Sequence, residues 1–146
     1  MATPTKAERI ESLKKQGLKA LASQLEDLAA RLMSLLSQAD AEARRLPVEQ
    51  QEGAQAFAQT AIGIVREYQN RLMQSMLERD PKGLEWTAGQ FGSLARFFGD
   101  EDYRWFSRRD ELDNVLDHLL DVAAAIFASI NTFDPASLES AREALS

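Results

Sequence analysis

The sequence predicts an all-α protein, an antiparallel bundle of about four main helices with short terminal and connecting helices. Long stretches of the chain repeat apolar residues at helical spacing, and turn-forming residues separate those stretches. No stretch shows the apolar and polar alternation that is typical of a strand. At 146 residues the chain can bury one substantial core, so we expect a single domain over residues 1–146.

A short first helix is predicted from about residue 6 to residue 15, because Thr5 and Glu8 have capping-box spacing and Gly17 follows. A continuous curved helix through Gly17 is the competing interpretation. Beyond it, apolar residues recur at alternating spacings of three and four, at Leu18, Leu21, Leu25, Leu28, Leu32, Leu35 and Ala39. This Leu18–Ala39 seam packs within its own bundle or pairs two copies as a homodimer, and both hold if the bundle itself forms by dimerisation. The intramolecular partner is the more frequent case.

The next helix is predicted after Pro47 and up to Arg79. Its inward-facing residues are Ala54, Phe57, Ala61, Val65, Tyr68, Leu72 and Met76. The sequence Asp-Pro-Lys-Gly at residues 80–83 then predicts a turn. Two long helices joined by a short turn make an antiparallel pair.

A shorter helix is predicted from Leu84 to Phe98, with Gly99 at its end. Glycine lowers helix stability, so the internal Gly89 and Gly92 predict a close approach to a neighbouring helix backbone. The alternative is that this segment is partly irregular.

The last long helix is predicted to begin near Ser107 or Asp110. Its apolar stripe consists of Leu112, Val115, Leu116, Leu119, Val122, Ala123, Ile126 and Ile130. Asp134 and Pro135 then have the pattern of an N-cap followed by proline in the first helical position, which predicts a terminal helix through about Leu145.

Composition excludes several function classes. The chain has no cysteine, which rules out disulfides, thiolate zinc sites, iron–sulfur clusters and cysteine nucleophiles. The N-terminus lacks the apolar segment of a secretory signal, and no run reaches the ~20 apolar residues of a membrane span. We therefore expect a cytoplasmic protein with no membrane partner. A net charge of -6 argues against nucleic-acid binding, and acidic residues flank the basic cluster at residues 104–109.

Candidate catalytic and metal-binding residues are few, so no metal, cofactor or enzymatic activity is expected. His118 is the chain's one histidine and falls on the flank of the last helix, where a structural or surface role is commoner than catalysis. Asp113, Asp117 and Asp121 form an acidic ridge on the same helix, but no second helix is predicted to supply carboxylates. In an enzymatic interpretation, Glu101 or Asp102 would act as the base and Arg104 would bind an anion. A run of charged residues such as this one is usually a solvated loop or helix end.

Seven of the eleven aromatic side chains lie between residues 86 and 106. They are Trp86, Phe91, Phe97, Phe98, Tyr103, Trp105 and Phe106. In one interpretation, one end of the core is closed by Trp86, Phe91, Leu94, Phe98 and Phe106. In the other, some of Phe97, Tyr103 and Trp105 stay exposed and form a surface for a protein partner. The arginines beside them are Arg96, Arg104 and Arg108.

The sequence therefore favours a non-enzymatic protein-interaction module, such as an adaptor, assembly chaperone, immunity protein or regulatory protein. Its partner is expected to bind the aromatic and arginine segment 86–109. The predicted partner-binding residues are Trp86, Arg96, Phe97, Tyr103, Arg104, Trp105 and Arg108. The alternative is a helical-bundle sensor or carrier that holds a small hydrophobic or anionic ligand in a pocket lined by the same aromatic residues.

Overall fold

The computed structural model describes residues 3–131 and 133–146. Within these residues the chain forms six α-helices and no strand, which confirms the predicted all-α class. The helices are α1 (Lys6–Lys14), α2 (Leu18–Ala43), α3 (Val48–Leu77), α4 (Pro81–Gly99), α5 (Arg109–Ser129) and α6 (Pro135–Ala144). In this part of the chain, no helix combines the length and apolar character needed to cross a bilayer.

Helices α2 to α5 form an up-down-up-down bundle in which each helix packs against the next along the chain and α5 packs against α2. The pairs are antiparallel. Phe57 near the start of α3 stacks on Phe97 near the end of α4, and Gln38 late in α2 accepts a hydrogen bond from Arg108, directly before α5. Helix α1 lies on α5, and α6 lies against α4 and α2.

The core is built from the two apolar stripes that the sequence predicts on α2 and α5. Every residue of the Leu18–Ala39 seam is at most 6% exposed within the single chain. The α5 stripe from Leu112 to Ile130 is buried in the same way. Within the single chain, the seam is therefore covered by the other helices of the bundle.

The break between α1 and α2 lies at Gly17, as predicted. Its φ of +93° falls in a region that side-chain-bearing residues rarely adopt, so the chain turns there instead of continuing one helix. The Thr5 hydroxyl accepts from the amide of Glu8 at 3.2 Å and caps α1. Helix α1 has no buried residue, and only Ile10 and Leu13 pack partly against the core.

The corner between α3 and α4 is tighter than predicted, because Pro81 already belongs to α4 and Asp80 is its N-cap residue. Arg79 has a φ of +52°, and the amides of Arg79 and Asp80 donate to the carbonyls of Met76 and Ser75 at 3.3 and 2.9 Å. This is the hydrogen-bond pattern of a Schellman motif, with arginine in the position that usually holds glycine. The chain therefore reverses within the three residues between α3 and α4.

The predicted close approach at Gly89 and Gly92 is wrong. A Cβ atom at either position would meet nothing within 4 Å. The crowded glycine is Gly83 in the first turn of α4, where a Cβ would lie 2.6 Å from the Ser75 hydroxyl oxygen and 2.7 Å from the Asp80 carboxylate. Gly83 is therefore the helical glycine crowded by side chains of the tight corner, whereas Gly89 leaves open space beside α4.

Candidate functional site

The aromatic segment is organised around Phe57, which α3 inserts among its rings. Phe97 and Tyr103 stack nearly parallel to Phe57, with centroids 6.1 and 5.9 Å away. Phe98 and Trp105 meet the same ring edge-on at 5.4 and 6.5 Å. Offset-stacked and edge-on pairs at these separations stabilise by more than their buried area alone. This cluster joins α3, α4 and the connection before α5.

Burial divides the segment between the two interpretations that the sequence left open. Phe91, Phe98 and Phe106 are at most 1% exposed and belong to the core. Phe97, Tyr103 and Trp105 are half-buried and pack against that core. Trp86 is 46% exposed, so the interpretation that places this ring in the core is wrong. Of the predicted partner-binding aromatic residues, Trp86 is the most open to solvent.

Tyr103 and Trp105 make polar contacts that fix the connection between α4 and α5. The Tyr103 hydroxyl donates to the Asp113 carboxylate, and the Trp105 indole N–H donates to the Asp102 carbonyl at 3.2 Å. Burial, followed by the contact with Asp113 and the charge of Asp117, raises the pKa of Tyr103 well above its ordinary value. The phenol therefore stays protonated and keeps donating.

The predicted arginines differ in how they are engaged. Arg104 makes a bidentate pair with Asp102 at 3.1 and 3.2 Å. These hydrogen bonds lower the pKa of Asp102 and raise the pKa of Arg104. Arg108 donates to Gln38 at 2.6 Å and to Glu111 at 2.8 Å, so it ties the start of α5 to α2. Arg96 is exposed on α4.

Glu42 is a structural residue that the sequence interpretation missed. Its carboxylate accepts from the amide of Ser107 at 2.9 Å and from the hydroxyl of Ser107 at 2.6 Å. This contact anchors the α4–α5 connection to the far end of α2. A single glutamate in a helix gives no sequence signal for such a role, because its partner is 65 residues away.

A groove on a different face holds the most exposed aromatic residues. It has a volume of about 620 Å³ and is lined by Lys82, Glu85, Trp86, Gly89, Gln90, Phe127 and Phe133. Phe127 is 59% exposed and Phe133 is 96% exposed, beside the half-exposed Trp86. Three large rings thus border one open depression. We call it the Trp86 groove.

Residues of α3 contact two lining residues of the Trp86 groove, Trp86 and Gln90. The Tyr68 ring meets the Trp86 ring edge-on with centroids 6.4 Å apart, and the guanidinium carbon of Arg71 lies 4.8 Å from the Trp86 ring centroid. The Tyr68 hydroxyl donates to the Gln90 side-chain oxygen at 3.2 Å. Gly89 adds no side chain to the groove, so its floor stays open.

Trp86 is among the residues predicted from the sequence, whereas Phe127 and Phe133 are not. Both residues lie outside the apolar stripe of α5, and this position in the sequence is the feature that could have predicted their exposure. We do not expect a phenylalanine to be buried in the core if it lies off the apolar stripe of a helix or directly before a helix N-cap. Only the fold shows that the two rings lie beside Trp86.

The residues considered for chemistry do not come together in one site. His118 is exposed and borders a cleft between α1 and α5, beside the pair that Arg9 Nε makes with Asp121 at 2.9 Å. Asp113 is engaged by Tyr103. Across residues 3–131 and 133–146, no three histidine or carboxylate side chains are arranged to hold a metal ion.

Glu101, Asp102 and Arg104 border an open cleft of about 440 Å³. The Asp102 carboxylate there has a lowered pKa, whereas a general acid or base that works near neutral pH needs a raised one. In this cleft Asp102 and Arg104 therefore form an ion pair with each other.

Comparison of the chain with family models, with curated proteins and with solved structures gave no match.

Proposed function

We propose that this chain is a non-enzymatic protein-interaction module whose partner inserts an apolar segment into the Trp86 groove. The observation that carries this proposal is the exposure of Trp86, Phe127 and Phe133 around one depression. Aromatic side chains are enriched at the centres of protein interfaces because they bury large areas at little conformational cost. A groove bordered by three such rings is therefore the surface best suited to a partner.

The charges of the groove favour a largely uncharged ligand segment. Its lining carries one lysine and one glutamate, Lys82 and Glu85, whereas the whole chain has a net charge of -6. A ligand that bound through charge would find a stronger field elsewhere on this acidic protein. Apolar contact with the rings is then the main source of affinity.

The proposed surface has a different centre from the one predicted from the sequence. Trp86 stays in it, while Phe97, Tyr103 and Trp105 support the end of the bundle by packing around Phe57. Arg104 and Arg108 hold the α4–α5 connection through Asp102, Gln38 and Glu111. Their substitution is expected to weaken that connection before it affects a partner.

The test is affinity capture from the native cell with three forms of the protein: the natural chain, Trp86→Ala with Phe133→Ala, and Met73→Ala with Leu77→Ala. Met73 and Leu77 are exposed at 54% and 79% but do not line the groove, so they are matched controls. We expect a protein retained by the natural chain and the control but lost from the groove variant. That protein, once purified, should bind directly. Equal retention by all three forms would contradict the proposal.

A further inference from the structure

We infer that the Trp86 groove binds an extended, proline-rich segment in the polyproline II conformation, an inference that rests on the proposed function. Two properties of the groove lead to it: the aromatic rings of Trp86, Phe127 and Phe133, and the hydrogen-bond donors that its lining side chains carry. Proline-rich segments dock into aromatic-lined grooves because their preformed conformation costs little entropy to bind.

The donors belong to Trp86, Gln90 and Lys82. The Gln90 side-chain oxygen already accepts from the Tyr68 hydroxyl at 3.2 Å, so the amide nitrogen keeps its N–H groups for a ligand. Trp86 carries an indole N–H, which can only donate, on a ring that Tyr68 and Arg71 hold in place. Among the described residues of the lining, Glu85 is the one carboxylate.

This excess of donors discriminates between an extended ligand and a helical one. A helix satisfies its backbone carbonyls internally, so seating it here would remove donors from water without giving them partners. Each donor left unpaired in this way weakens binding by roughly fivefold or more. A polyproline II segment has no internal hydrogen bonds, and proline has no N–H, so its backbone presents carbonyl oxygens to match the donors.

The backbone of α4 also allows the close approach that such a ligand needs. Gly89 lines the groove without a side chain, and a Cβ there would meet nothing within 4 Å, so the space over residue 89 is open. A flat ligand backbone can therefore lie on the floor while its proline rings contact the aromatic walls.

The experiment is selection of short peptides displayed on phage against the natural protein, with removal of those that also bind the variant Trp86→Ala with Phe133→Ala. Enrichment of proline-rich sequences supports the inference. Enrichment of amphipathic sequences with helical spacing overturns it, while leaving the proposed function standing. Failure to enrich any groove-dependent peptide also overturns it, and the proposed function is then decided separately by the capture experiment.

The role of the donors is tested with the best selected peptide and the variant Trp86→Phe, which keeps an aromatic ring but removes the indole N–H. We expect about a tenfold loss of affinity, as for one lost hydrogen bond to a desolvated group. Trp105→Phe is the matched control, because the Trp105 indole N–H donates to the Asp102 carbonyl and does not line the groove. The affinity of this variant for the peptide should be unchanged. An unchanged affinity for Trp86→Phe would contradict carbonyl recognition by that group.

Discussion

The guanidinium of Arg71 on α3 lies 4.8 Å from the centre of the Trp86 ring on α4. The contact covers one face of the indole, while the Tyr68 ring meets it edge-on. Two residues from the long helix thus fix the orientation of the most exposed tryptophan. A surface aromatic that is held in this way loses less conformational freedom on binding than a mobile one.

Removing the arginine from this contact should weaken it measurably. We expect Arg71→Leu and Trp86→Leu to show a coupling of about 0.5–1 kcal/mol in a double-mutant cycle, the range for a cation over an exposed ring. The measurement is the free energy of unfolding by urea for the four forms. Arg66, exposed on the same helix, is the control: Arg66→Leu with Trp86→Leu should be additive.

Phe57 is expected to be the most sensitive aromatic residue of the chain. It contacts Phe97, Phe98, Tyr103 and Trp105 together, so Phe57→Ala should lower the free energy of unfolding by about 3–5 kcal/mol. Phe133 is the control because its side chain is 96% exposed. Phe133→Ala should change the free energy of unfolding by less than about 0.5 kcal/mol. Equal losses from the two variants would contradict the packing described for Phe57.

Arg79 is expected to be a site where glycine stabilises the protein. Its φ of +52° strains a residue that carries a Cβ, and glycine adopts this conformation freely. Arg79→Gly should raise the free energy of unfolding by about 0.5–1 kcal/mol, measured by urea titration. Arg66→Gly within the exposed face of α3 should instead lower it by about 1 kcal/mol.

Tyr103 should make stability depend on alkaline pH. Its pKa is raised in the folded chain by burial and by Asp113, so the folded state holds this proton more tightly than the unfolded state does. The stabilisation is fully present below the unfolded tyrosine pKa of about 10 and is lost as pH rises above it. Tyr103→Phe should therefore flatten the decline of unfolding free energy above about pH 10. An identical decline in both proteins would contradict the shift.

The helices and core could be predicted from the sequence because periodic burial is local information. The Leu18–Ala39 seam and the stripe from Leu112 to Ile130 repeat at helical spacing, and both are buried. Helix boundaries are local in the same way: Gly17 turns the backbone, and the Asp134 side chain caps α6 ahead of Pro135.

The candidate site could be predicted only in part, because it depends on contacts between distant segments. Trp86 belongs to α4, Phe127 to α5 and Phe133 to the connection that follows, and only packing brings them to one groove. The glycine interpretation failed for a related reason. Spacing identified Gly89 as special, but whether a glycine faces a neighbouring backbone or solvent depends on the whole bundle.

Substitutions at Gly89 should distinguish an effect on binding from an effect on folding. Because a Cβ there meets nothing within 4 Å, Gly89→Ala should stabilise α4 by about 0.5–1 kcal/mol through helix propensity. Gly89→Leu should keep the fold, as judged by circular dichroism and thermal unfolding, yet fill the floor of the Trp86 groove. We expect this variant to lose the captured partner and the selected peptides.

The matched control is Gly53, an exposed helical glycine on α3 that also has open space around it. Gly53→Ala should raise stability by a similar amount, and Gly53→Leu should leave binding intact because residue 53 does not line the groove. If Gly89→Leu and Gly53→Leu bound equally well, the floor of the groove would not be in contact with the ligand. A loss confined to Gly89→Leu places the bound segment over that floor, between Trp86 and Phe127.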